Sequence, residues 1–170
     1  LMYAANRGAP TAATPGGVYP FNLSTRTRVT DGTNPIVLTQ DTVSGLTWTD
    51  TGDPYGLAVG NDGSLYVAFT ASAAIRKIVN PLGANPAATQ ILGNYNGSGD
   101  DDPVTIGFVP AGFGLAGYGT NDLILFDNGM NANNVNAVVA VHTDGSDLAS
   151  GPTVVWSRPT AGNSGIRGAL

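Results

Sequence analysis

Glutamate and cysteine are both absent from this 170-residue chain, and lysine occurs once, at Lys77. No cysteine means no disulfide and no thiolate metal site. No glutamate, one lysine and only 11% charged residues leave the sequence poor in helix-forming polar side chains. The formal net charge of −5 rests on 12 aspartates, and of the six arginines only Arg26 and Arg28 lie close together. That balance excludes a nucleic-acid groove, which needs clustered cations to meet phosphates. It also argues against an anionic membrane surface as a partner. No apolar run approaches the roughly 20 residues that span a bilayer, so membrane insertion is not expected.

What is present points the other way. Hydrophobic residues make up 42%, so a core is available, and 24 glycines and 11 prolines join threonine and asparagine at the polar positions. These types favour turns and strand edges, and an all-β protein follows. Low charge with much Thr, Asn and Gly suits an extracellular or cell-surface protein of bacterial type, a periplasmic one included. No signal peptide is visible, and the abrupt start at Leu1-Met2-Tyr3 reads as a mature or truncated product.

The chain repeats itself. Pro54-Tyr55-Gly56-Leu57-Ala58-Val59-Gly60 and Pro110-Ala111-Gly112-Phe113-Gly114-Leu115-Ala116-Gly117 each precede a polar turn. An apolar strand follows in each, Leu65–Phe69 and Leu123–Phe126, then a third, Ala74–Val79 and Ala137–Val141, and a fourth, Thr89–Leu92 and Thr153–Trp156. The N-terminus fits the same frame without its first strand. There Leu1–Ala5 reads as the second strand and Gly17–Leu23 as the third. The fourth lies in Ile36–Thr39 or in Leu46–Thr49. Residues 165–170 read as the first strand of a further unit.

Four short antiparallel strands cannot bury both their faces alone; stacked radially they do, with small residues on the crowded innermost strand. The expected architecture is therefore about three four-stranded β-propeller blades, at approximately 1–50, 54–102 and 110–158. Three blades do not close a ring, because propellers close with about four to eight. The expectation is a fragment of a longer chain, or a homo-oligomer in which two copies complete one ring. On either version Ile166–Leu170 pairs with the second strand of a first unit.

The run Pro54–Ala68, continuing through Ile75-Arg76-Lys77-Ile78, resembles NHL repeats and the related SMP-30/gluconolactonase-like propellers, and Leu1–Asn6 looks like the corresponding second strand. The resemblance implies a blade but no particular activity. Lactonases of the SMP-30 type hold a divalent metal near the axis with a set that includes a glutamate. That ligand has no counterpart here, and Asp127 and Asn128 resemble only part of the set.

Alternating strand direction sends two classes of loop to one end of the blades, commonly the ligand face. It gathers Asn6, Arg7, Asp53, Tyr55, Asp127, Asn128 and Asn131 as candidate ligand-binding residues. Asp100, Asp101 and Asp102, beside flexible glycines, are the candidate metal ligands, and their hard oxygens suit calcium. Their spacing is not that of an EF-hand. No catalytic residue is assigned: His142 is the sole histidine, and with Asp144-Gly145 it reads as a surface turn, not part of a nucleophilic triad. Trp48 and Trp156 read as packing between blades. The expected function is a non-catalytic binding or assembly module for a protein or carbohydrate ligand. A metal-dependent lactonase-like hydrolase is the alternative.

Overall fold

The computed structural model describes residues 1–8, 16–47, 49–50, 53–93, 103–128 and 136–157. Among these the regular secondary structure is almost wholly β-strand. The first sheet has the order β1-β2-β3, from Met2–Asn6, Gly17–Asn22 and Thr27–Arg28. A small hairpin, β4 (Thr30–Asp31) and β5 (Asn34–Pro35), follows it. Two four-stranded sheets come next. One runs β6-β7-β8-β9, from Pro54–Val59, Leu65–Phe69, Ala74–Val79 and Ala87–Leu92. The other runs β10-β11-β12-β13, from Pro103–Phe108, Leu123–Asp127, Ala137–Val141 and Thr153–Ser157. All pairings within these sheets are antiparallel, between strands consecutive in sequence. One short helix, α1 (Asp147–Ser150), precedes β13.

The two four-stranded sheets are copies in detail. Each has a one-residue bulge near the start of its first strand: pairing passes from Pro54↔Phe69 to Leu57↔Val67 in one, and from Pro103↔Asp127 to Thr105↔Phe126 in the other. Each has a second bulge opposite its third strand, at Ile75/Arg76 and at Val138/Val139, the second and third residues of β8 and β12. A bulge twists and re-aims a strand, so the same device at the same two places gives both sheets the same shape.

One expected element moves. The first strand of the last unit is β10, Pro103–Phe108, not the glycine-rich run 110–117. Val104, Thr105, Ile106 and Phe108 are β-branched or aromatic and fit a pleated surface. Gly112, Gly114 and Gly117 take φ of 77°, 72° and 86°, the left-handed region, and fold their segment into turns. In the first unit the open choice of outer segment falls to Ile36–Thr39. Val18 and Leu38 exchange backbone bonds of 3.1 and 2.9 Å beside β2. Further along, Ser44 bridges in parallel to Ala87 at the edge of β9, which ties the first sheet to the second.

The core lies in two layers on either side of β7. Leu65, Val67 and Phe69 face Val18 of the first sheet and Leu38 and Val43 of the segment that follows it. Tyr66 and Ala68 face Ile106, Leu123, Leu125 and Val139 of the third. Every residue of β7 is buried, so its apolar run carries no polar alternation. Leu65, Val67, Phe69, Leu123 and Leu125 are buried, and so are Tyr66 and Ile124 on the opposite faces of their strands.

Candidate functional site

Antiparallel alternation brings the C-termini of β1, β7 and β11 to one end of the sheets, with the N-termini of β6 and β10. Three of the candidate ligand residues meet there. Arg7, just beyond β1, forms a fork on Asp53: Nε donates to Oδ1, and Nη2 donates to Oδ2 at 3.0 Å. The same guanidinium carbon lies 5.1 Å from the centre of the Tyr55 ring. Asp53 also accepts from the Thr70 hydroxyl, and its carbonyl takes the Thr70 amide at 3.2 Å. A carboxylate held by a two-pronged cation and a hydroxyl is a positioning group, not a base in waiting. What faces solvent is the Arg7 side chain, 60% exposed, and the Tyr55 ring.

Beneath this surface sits a residue outside the predicted site set. Asp50 is fully buried. Its Oδ2 accepts from the Thr47 amide at 2.8 Å and the Thr47 hydroxyl at 2.9 Å, and lies 2.9 Å from Arg76 Nε; its Oδ1 accepts from Ser72 at 2.7 Å. Asp50 thus fastens the segment entering β6 to the β7–β8 turn and to β8. The sequence shows Asp50 and Asp53 as a pair of loop carboxylates. Which one points inward depends on Arg76 and Ser72, more than twenty residues away.

Of the other expected residues, Asn6 is exposed at the end of β1. Asp127, at the end of β11, is buried, with its backbone between Pro103 and Ala137. Asn128 follows it, half-buried. Asp100, Asp101, Asp102 and Asn131 lie outside the described residues, as do Trp48 and Ile166–Leu170. Among the described residues no three acidic or imidazole groups gather as a metal site. Trp156 is 48% exposed.

The opposite end holds a depression of about 460 Å³ between the second and third sheets. Lys77 and Asp62 pair across 3.0 Å at its rim, with the Lys77 ammonium 5.5 Å from the Tyr66 ring centre. Tyr66 in turn meets Phe108 edge to face. The Ser64 amide, first, and then Lys77 hold the Asp62 carboxyl down at about 2. His142 lies beside this depression, next to Thr143, and its carboxylate partner is Asp147 of α1, not Asp144. Asp144 instead accepts from Ser146, at 2.9 Å from the amide and 2.7 Å from the hydroxyl. Among the described residues no serine hydroxyl meets the imidazole, whose Nδ1 faces Asp147 and whose Nε2 faces the Gly117 carbonyl.

The chain matches no protein-family model and no curated protein sequence.

Proposed function

We propose that the chain is a stretch of β-propeller that binds a protein or carbohydrate ligand, outside the cytoplasm, without catalysing a reaction. The observation that supports it most is the duplicated bulge pattern of the two four-stranded sheets, joined to the burial of β7 between the first sheet and the third. Sheets of one shape stacked face to face, first strand beside first strand, are what a propeller requires. In a ring, β1 takes an inner strand along its second edge, from elsewhere in a longer chain or from another copy.

The binding reading rests on Arg7, Asp53 and Tyr55. An exposed aromatic ring offers an apolar face to a sugar or a peptide side chain, and a guanidinium fixed beside it adds positive charge. The test compares the parent protein with Tyr55→Ala on glycan and peptide arrays, and follows lactone hydrolysis with calcium, magnesium, manganese or zinc added. Binding that falls at least tenfold in Tyr55→Ala, with no hydrolysis under any metal, is the expected result. Metal-dependent lactone hydrolysis abolished by a chelator would replace this reading with the hydrolase.

A further inference from the structure

The ring of His142 sits between two acceptors. Nδ1 lies 3.2 and 3.1 Å from the two carboxylate oxygens of Asp147, and Nε2 lies 3.2 Å from the Gly117 carbonyl oxygen. Neither partner has a proton to give. A neutral imidazole has one N–H and one lone pair, so in this position it would aim the lone pair at an oxygen. Only the doubly protonated ring satisfies both contacts. The Tyr118 ring, stacked at 4.1 Å and 24°, offers its π face to the same cation.

The geometry points to His142 as a proton-operated latch, whose charged ring pins the glycine-rich segment 110–121 to β12 and α1 and whose deprotonation releases it. The segment needs such a pin. It is mostly exposed, its turns close on themselves through Phe113 to Pro110 and Tyr118 to Leu115, and three of its glycines hold left-handed φ. Gly119 is held to Asp122 in the turn before β11, and the ties to β12, β13 and α1 run through Gly117 and Tyr118, whose hydroxyl lies 2.9 Å from that of Thr153 on β13. Asp147 stays in place whichever way the ring titrates, because the His142 backbone amide donates to it at 2.6 Å. On losing a proton the ring therefore keeps Nδ1–H on the carboxylate, and the Nε2 lone pair turns against the Gly117 carbonyl. The Gly117 side is the one that opens.

The charged surroundings favour the latched state. Asp147 faces the ring from α1, Asp122 from the turn before β11, and Asp144 from its own turn. Tyr118 faces it from the segment itself. The nearest lysine, Lys77 of β8, lines the same depression as Thr143 and is paired with Asp62. Burial pulls the imidazolium down, but Asp147, the Gly117 carbonyl and Asp122 together outweigh it, and the net displacement is upward from 6.5. A folded-state value above the unfolded one means that the latch is fully closed below 6.5 and opens as pH rises through the folded value.

The chain has a single histidine, so its Cε1 proton is an unambiguous probe of the titration by NMR. Amide hydrogen exchange at Tyr118, whose N–H closes the turn on the Leu115 carbonyl, between pH 5 and 9 and corrected for intrinsic chemistry, reads the latch. The expected midpoint lies above 6.5. Protection at the Tyr118 amide falls through the same midpoint, by about tenfold for each unit of that excess. His142→Gln abolishes this pH dependence while β11 and β12 amides stay protected, and Asp147→Asn moves the midpoint down. A midpoint at or below 6.5, or protection indifferent to the titration, overturns the latch.

Discussion

A Cβ at position 56 would stand 2.9 Å from the Val104 carbonyl oxygen and 3.1 Å from the Ile106 amide nitrogen, both backbone atoms of β10. Neither can swing aside as a flexible side chain would. Gly56→Ala relieves the unfolded chain of some entropy, worth about 0.4–1 kcal/mol. Forcing two strands apart costs about 1–3 kcal/mol. The clash wins, and chemical denaturation is expected to show a net loss of stability. Equal or greater stability in Gly56→Ala would mean that β6 and β10 do not approach this closely. The need for a small residue here was legible in the sequence, which places Gly56, Ala58 and Gly60 on one crowded strand. The identity of the neighbour is not, because the glycine-rich run Pro110–Gly117 reads as the matching strand. Glycine serves two ends: at 56 it makes room, and at 112, 114 and 117 it supplies a left-handed backbone. Sequence alone shows the residue and not which of the two is wanted.

At the scale of elements, continuous apolar runs declared themselves: Leu65–Phe69, Ala74–Val79 and Ala137–Val141 are strands over those very residues. Runs of this kind need no polar alternation when both faces of the sheet are covered. The element that escaped, β10, carries Pro103, Thr105 and Gly107 among its apolar residues and follows an acidic stretch, so its signal was diluted. The end that gathers Arg7, Asp53 and Tyr55 was half legible. Strand alternation placed Arg7, Asp53 and Tyr55 at one end, but their fork and ring contact depend on where the first sheet packs against the second. A prediction belongs to β11. Leu123 is fully buried in the layer shared with β7, against Tyr66 and Leu125. Leu123→Ala removes that packing and leaves a cavity, at an expected cost of about 2–5 kcal/mol in urea unfolding. A cost below about 1 kcal/mol would show that the second and third sheets do not share this layer.

For the whole molecule, the titrating groups set a stability window. Asp62, held at about 2 first by the Ser64 amide and then by Lys77, and Asp144, lowered by the Ser146 hydroxyl and amide, favour the fold when ionised. Their contribution is complete above the unfolded value of 3.8 and is lost as pH falls toward the folded values. His142 works in the opposite sense: burial opposes its charge and Asp147 outweighs burial, so its contribution is complete below 6.5 and fades as pH rises through the raised folded value. Tyr3, raised by burial from 10.0, disfavours only the phenolate, and Lys77, raised from 10.5, keeps its charge well past neutrality. Neither bears on the acid side. The melting temperature is therefore expected to be highest between 3.8 and 6.5 and to fall on both flanks. Asp62 is half exposed, so solvent screens its pair with Lys77 and its share of the acid flank is small. Calorimetry of the parent protein from pH 2 to 9, beside His142→Gln and Asp62→Asn, separates the flanks. His142→Gln flattens the alkaline fall and leaves the acid one, and Asp62→Asn lessens the acid fall alone. An alkaline fall of unchanged size in His142→Gln would assign that flank to some other group and deny the histidine a part in holding the third sheet to its loop.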